Sequence, residues 1–162
     1  MSASCSASIS RRERSEKKQG ETFYAYERSY GSWKNRPTPG LSDISIEVDL
    51  YPDERRLESR GTATLTNRKD VSIDDILVTT DPRLHVRSLA LDGAVLVHDD
   101  AALGAHTFHL QQPLPPRGTL RMEWSATRQN RGFVNSGPDN EIVANGTYVT
   151  LATIAPRPAY DE

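Results

Sequence analysis

A chain of 162 residues has room for one domain and hardly for two. Hydrophobic residues make up 36%, charged ones 26%, and the formal net charge is -2, so no global field favours nucleic acid or an anionic membrane. The single thiol, Cys5, excludes an internal disulfide and a cysteine-based zinc site, and no stretch approaches the ~20 apolar residues of a membrane span.

Met1 to Gly20 is Ser-rich and then charged ("RRERSEKK"), and reads as a disordered tail. "MSASCSASIS" lacks the apolar core of a signal peptide. A basic arm for nucleic acid is the sharper alternative, but Glu13 and Glu16 dilute the run. From Glu21 the pattern changes. Phe23, Tyr26, Tyr30 and Trp33 mark one stripe of a short helix, ended by Pro37 and Pro39. Such a stripe docks on a neighbouring domain or, less commonly, on a partner or a membrane surface. Residues 21–40 are thus a short aromatic helix and a Pro linker.

Beyond Leu41 the period becomes two. Ile44, Ile46, Val48 and Leu50 alternate with polar residues, "YPDERR" turns the chain, and Leu57, Ser59, Gly61, Ala63 and Leu65 form the inner face of a second strand. "IDDILVTT" is a third strand, stopped by Asp81-Pro82. In "LHVRSLALDG" the inward parity switches between Val86 and Leu89, which predicts a bulge. Asp92-Gly93 predicts a hairpin into "AVLVH", "HTFHL" is the next strand, and "QQPLPPRG" the next turn. Leu120, Met122, Trp124 and Ala126 share one face of "TLRMEWSATR". Asn145-Gly146 predicts a last hairpin, with Tyr148 to Ile154 strand-like. Strands at this spacing, with no helix long enough for a parallel crossover, predict an all-β antiparallel two-layer sandwich over 41–155.

Candidate chemistry is sparse. His106 and His109 would share a helix face, but in a strand their odd spacing sends them to opposite faces. His98 and Asp100 share parity yet fall short of the ligand set that zinc needs; His85 stands alone. No calcium loop, P-loop, Gly-x-Ser-x-Gly or His-Glu-x-x-His is present. Asn145-Gly146-Thr147 matches a glycosylation acceptor, which a hairpin corner also explains. In "RQNRGFVNSGPDN", Arg128 and Arg131 could hold a carboxylate or phosphate, or the segment is an ordered inter-sheet loop. Catalytic residues: none. Metal ligands: none.

The linear order of these segments resembles the amino-terminal domain of the M1 family of zinc aminopeptidases. The resemblance rests on "YERSYGSWKNRPTPGLSDISIEVDLYPDERRLESRGTATLTNR", "LHVRSLALDGAVL", "HTFHLQQPLPPRGTLRMEWSATR", "NRGFVNSG" and "NGTYVTLATIAPRPAYDE", spanning Tyr26 to Glu162. Within the family it is most similar to bacterial proteins that fuse an ABC-type permease to an M1 peptidase. The resemblance implies a saddle-like sandwich that packs on a catalytic domain and shapes its cleft. It places the zinc cofactor in that domain and makes this chain non-catalytic. The expected partners are the M1 catalytic domain or the permease portion, with neither nucleic acid nor a direct membrane span. Thr150 and Thr153 would lie at the substrate-cleft edge, Thr153 standing where related sequences carry a Glu; a hydroxyl offers no negative charge to a substrate ammonium. Pro156, Tyr160 and Asp161 would serve interdomain docking, with 156–162 a truncated linker toward a catalytic domain that these residues do not contain. Leu151 to Glu162 is then expected to lie exposed, ready to cover a neighbour and prone to self-association. The chain alone reads as soluble; the family context implies membrane attachment outside the cytoplasm. The alternative is a free-standing immunoglobulin-like or carbohydrate-binding module that uses the "RQNRGFVNSGPDN" loop.

Overall fold

The computed structural model describes residues 11–129, 142–143 and 146–159. Helix α1 (Arg11–Tyr30) leads into a 3-10 turn over Gly31–Asn35. The strands follow as β1 (Gly40–Tyr51), β2 (Arg56–Thr66), β3 (Ile73–Thr79), β4 (His85–Leu91), β5 (Ala94–Asp100), β6 (Ala105–Leu114), β7 (Thr119–Gln129), β8 (Ile142–Val143) and β9 (Gly146–Thr147), before the single helical turn α2 (Leu151–Ile154). Sheet order is β1-β2-β7-β4 in one layer and β3-β6-β5 in the other, and every pairing is antiparallel. The expected two-layer sandwich is what the chain forms.

Alternation explains the core. Ala63, Leu65, Met122, Trp124 and Ala126 of the first sheet pack on Ile76, Val78, Phe108 and Leu110 of the second. Gly61 leaves room for the Trp124 ring on the adjacent strand. A Cβ there would sit 2.7 Å from two of the ring carbons and would also collide with the Ser45 carbonyl. Asn67, fully buried where β2 leaves its sheet, donates to the carbonyls of Val71 (2.8 Å) and Leu114 (2.9 Å) and accepts from the Lys69 N–H. One amide therefore satisfies a corner that would otherwise bury unpaired backbone.

The second sheet is covered twice. Ile76, Leu77 and Val78 are consecutive and all buried, because the sandwich core takes one face and α1 the other. Tyr26 and Tyr30, their rings 5.3 Å apart, bury against Leu77 and Ala105, with Trp33 partly buried alongside. Phe23, from the same stripe, remains 51% exposed. The helix begins at Arg11, twelve residues before the aromatic stripe does at Phe23, because the Arg, Glu and Lys residues of "RRERSEKK" are good helix formers.

Several local expectations are settled here. The bulge lies between Val86 and Ser88, as the parity switch requires. Asp92-Gly93 is a tight turn, with Gly93 at φ 66, but it carries the chain from β4 in one sheet to β5 in the other instead of closing a hairpin. A turn sequence specifies reversal, not which sheet the next strand joins. "QQPL" extends β6, and the turn is confined to Pro115–Gly118. Pro113 is tolerated because β5 alongside ends at Ala94, opposite Leu110. β8 and β9 form the predicted last hairpin.

The closing segment differs most. Tyr148 to Ile154 is not a strand: Leu151–Ile154 coils into a helical turn. Thr150 N–H donates to the Thr153 hydroxyl (3.1 Å), which donates to the Thr150 carbonyl (2.8 Å). Two Thr side chains that suit a strand can equally close a turn. Replacing Gly61 with Val should lower stability by about 3 kcal/mol, since neither Trp124 nor the Ser45 backbone can retreat. Urea unfolding followed by Trp fluorescence measures it, and an unchanged midpoint would contradict the close approach.

Candidate functional site

The inward face of β7 ends on a charge. Arg128 follows Met122, Trp124 and Ala126 in parity and is fully buried. Its guanidinium donates to Asp81 Oδ2 at 3.1 Å and lies 3.5 Å from the Thr153 carbonyl. Arg83 meets the same carboxylate through Nε (3.0 Å) and a terminal nitrogen (2.7 Å), and its backbone N–H reaches Oδ1 at 2.9 Å. Burial pushes the Asp81 carboxyl up. The Arg83 hydrogen bonds, with the Arg83 and Arg128 charges, outweigh that and hold it below its ordinary 3.8. The structure thus joins two residues singled out separately in the sequence, Arg128 and Thr153, through Asp81, which was read only as a strand stop.

The segment around this node is held by its own domain. Thr79 and Arg157 exchange backbone hydrogen bonds of 2.8 Å each way, so the chain adds a short bridge to the outer edge of β3. Ser59 Oγ donates to the Ile154 carbonyl at 2.6 Å, and Ile154 packs on Leu57. Ile154, Ala155, Pro156 and Pro158 are buried. This corrects the expectation of an exposed Leu151 to Glu162. Through Ala159 the segment covers its own core, and Pro156 is buried in that packing. Tyr160 and Asp161 lie outside the described residues, as do Arg131 and most of "RQNRGFVNSGPDN". Thr150 is exposed, while Thr153 is half-buried with its hydroxyl committed to the turn.

An apolar rim lies beside this segment, where alternation predicted core. Val48 and Leu50 share the inward parity of Ile44 and Ile46, yet they are 37% and 46% exposed. β1 runs 12 residues whereas β3 and β5 run 7 each, so the second sheet does not reach far enough to cover its last turns. Leu50 pairs with Leu57, which packs on Ile154 and Val149, and Leu151 (41%) and Tyr148 (77%) remain open on the closing segment. Sequence periodicity identifies which face is apolar but not how far the opposite layer extends.

The histidines separate as their spacing demands. His106 is buried, with Nε2 3.2 Å from Thr80 Oγ1 and Nδ1 2.9 Å from Asp99 Oδ1. His109 is exposed on the other face, 2.8 Å from Asp75. The hydroxyl–imidazole–carboxylate chain resembles a nucleophilic triad in order, but Thr80 and His106 are 8% and 4% exposed, leaving no approach for a substrate. Among the described residues no group of three or more His, Cys, Asp or Glu could hold a metal ion.

No protein-family model matches the chain, and no curated protein does. Among solved structures it is similar to a mutant two-domain M1 zinc metallopeptidase bound to L-tryptophan, at 16% identity and a TM-score of 0.47, covering 64% of this chain and 23% of that one. The M1 zinc metallopeptidase from Deinococcus radiodurans gives 16% identity and a TM-score of 0.46, covering 62% and 22%. A mutant of the Deinococcus radiodurans enzyme bound to a Tyr-Ser-Ala substrate gives 16% and 0.46, covering 58% and 21%. The chain spans less than a quarter of the length of each.

Removing the carboxylate should expose the cost of the buried guanidinium. Asp81→Ala should lose about 3 kcal/mol in urea unfolding, and an effect no larger than that of an exposed acid such as Asp43→Ala would dissolve the node. The acid limb carries a matching signature. A carboxyl held low when folded contributes stability that is complete above the ordinary value of 3.8 and drains as pH falls below it. Asp81→Asn should therefore flatten the stability profile in that window, read from melting temperatures between neutral and strongly acidic pH.

Proposed function

We propose that this sandwich is the non-catalytic amino-terminal-type domain of an M1-type zinc metallopeptidase, packing on a catalytic domain that lies outside these 162 residues and shaping one wall of its cleft. The observation that carries the reading is the apolar rim of Val48, Leu50, Tyr148 and Leu151, inward-facing or segment-borne residues that this domain's own core leaves open. Apolar side chains left open at one end of a sandwich suit a contact site. The ordered run of motifs from Tyr26 to Glu162 names the class of partner. Zinc and the hydrolytic water would belong to that partner, so no step of peptide hydrolysis runs through this chain.

The site imposes a limit on the parent activity. Thr153 keeps its hydroxyl within its own turn, and Asp81, which Arg128 links to that turn, is already shared between two guanidiniums. Neither offers a charge to a substrate ammonium, so the cleft wall contributed here would position peptide by shape instead of by ion pairing. Membrane proximity belongs to the same proposal: similarity to permease-fused proteins would set α1 near a membrane portion, and Phe23 and Tyr24 are exposed on it. No described helix is itself long and apolar enough to cross.

The purified chain should bind no stoichiometric zinc and hydrolyse no aminoacyl anilide. A separately produced M1-type catalytic domain should bind the chain, and Leu50→Asp with Leu151→Asp should abolish that binding without lowering the melting temperature. Zinc-dependent turnover by the chain alone, or binding indifferent to both substitutions, would refute the proposal.

A further inference from the structure

The arginines of the strands have carboxylates beside them. Arg56 meets Glu54 and Glu58, Arg60 meets Glu47 and Asp49, Arg87 meets Glu58, and Arg121 meets Glu123. One cavity departs from that balance. It encloses about 380 Å³ and is lined by Trp33, Lys34, Arg36, Pro39, Lys69 and Pro158. All three charged residues in that lining are cations, in a chain whose formal net charge is -2. The volume falls in the range of small-molecule sites, where apolar walls and a few polar groups are the usual composition.

The fold fixes the walls separately. Trp33, in the 3-10 turn after α1, is partly buried beside Tyr26 and Tyr30. The Arg36 guanidinium lies 4.5 Å from the centre of the Trp33 ring and donates to Asp75 through one terminal nitrogen at 3.4 Å, which leaves the other without a partner among the described residues. Lys69 stands on the β2–β3 loop, its backbone N–H held by the buried Asn67 side chain at 2.9 Å, and its ammonium meets no carboxylate among the described residues. Pro158 is buried on the closing segment, next to the Arg157–Thr79 bridge. We infer that this cavity binds a phosphate monoester, with Arg36 and Lys69 taking its oxygens, Lys34 adding charge, and the ester's carbon body lying against Trp33 and the proline rings. A planar fork and a point charge from two different segments suit a tetrahedral group better than a flat carboxylate. Such a group brings three acceptor oxygens and a charge of about -1.5 to -2 near neutral pH, where a carboxylate brings two oxygens and a single charge.

Isothermal titration of the full chain with inorganic phosphate should show one saturable site, with a Kd of about 1 mM or tighter from two charge-assisted hydrogen bonds. Lys69→Glu and Arg36→Gln should each weaken it at least about tenfold without lowering the melting temperature, since both side chains are exposed. Arg60→Glu, the same reversal of charge on the outer face of the four-stranded sheet, should leave it unchanged, and acetate should bind at least about tenfold more weakly than phosphate. Vesicles of phosphatidylcholine with phosphatidic acid separate the two sources of such a group: co-sedimentation lost in Lys69→Glu assigns a lipid headgroup, and phosphate binding without co-sedimentation assigns a soluble ester. No saturable phosphate binding in the stated range would overturn the inference, as would equal weakening by Arg60→Glu or acetate binding as tight as phosphate. None of these residues belongs to the Val48/Leu50 rim, so the result is independent of the proposed docking.

Discussion

A guanidinium buried at the end of a strand constrains everything around it. Desolvating a charge costs several kcal/mol, and only a partner held in good geometry repays it. Arg128 meets that condition through Asp81, which is itself clamped by Arg83 from the same corner. Three otherwise independent pieces are thereby fixed: the last turns of β7, the β3–β4 corner and the carbonyl end of α2 at Thr153. A charged residue at an inward position would ordinarily break the alternation that builds a core. Here it ends the core and gives the closing segment something specific to dock on.

The consequences run outward from that node. With Thr153 placed, Ile154 reaches Leu57, Ser59 holds the Ile154 carbonyl, and the chain continues to the β3 edge at Thr79. One short segment thus seals the end of the sandwich and protects one sheet edge. What it does not cover is the excess length of β1. Because the second sheet is shorter, Val48 and Leu50 have the pattern of core residues without a core to enter, and the segment adds Leu151 and Tyr148 to the same rim. The apolar rim is therefore a by-product of mismatched layers and not of a separate motif.

That mismatch also explains what could be read in advance. Period-two alternation identified β1, β2 and β7 and the bulge in β4, because each signal is local to one strand. The divergence of His106 and His109 followed from spacing alone. Four features needed the partner layer. Asp92-Gly93 reads identically whether the chain pairs back or crosses to the other sheet. "TYVTLATI" has strand-forming composition, but the hydroxyls of Thr150 and Thr153 close a turn once Arg128 and Leu57 fix both ends. Asn67, the buried amide that satisfies a whole corner, gives no periodic signal. The Arg128–Asp81 pair joins positions 47 apart and is invisible until the fold brings them together.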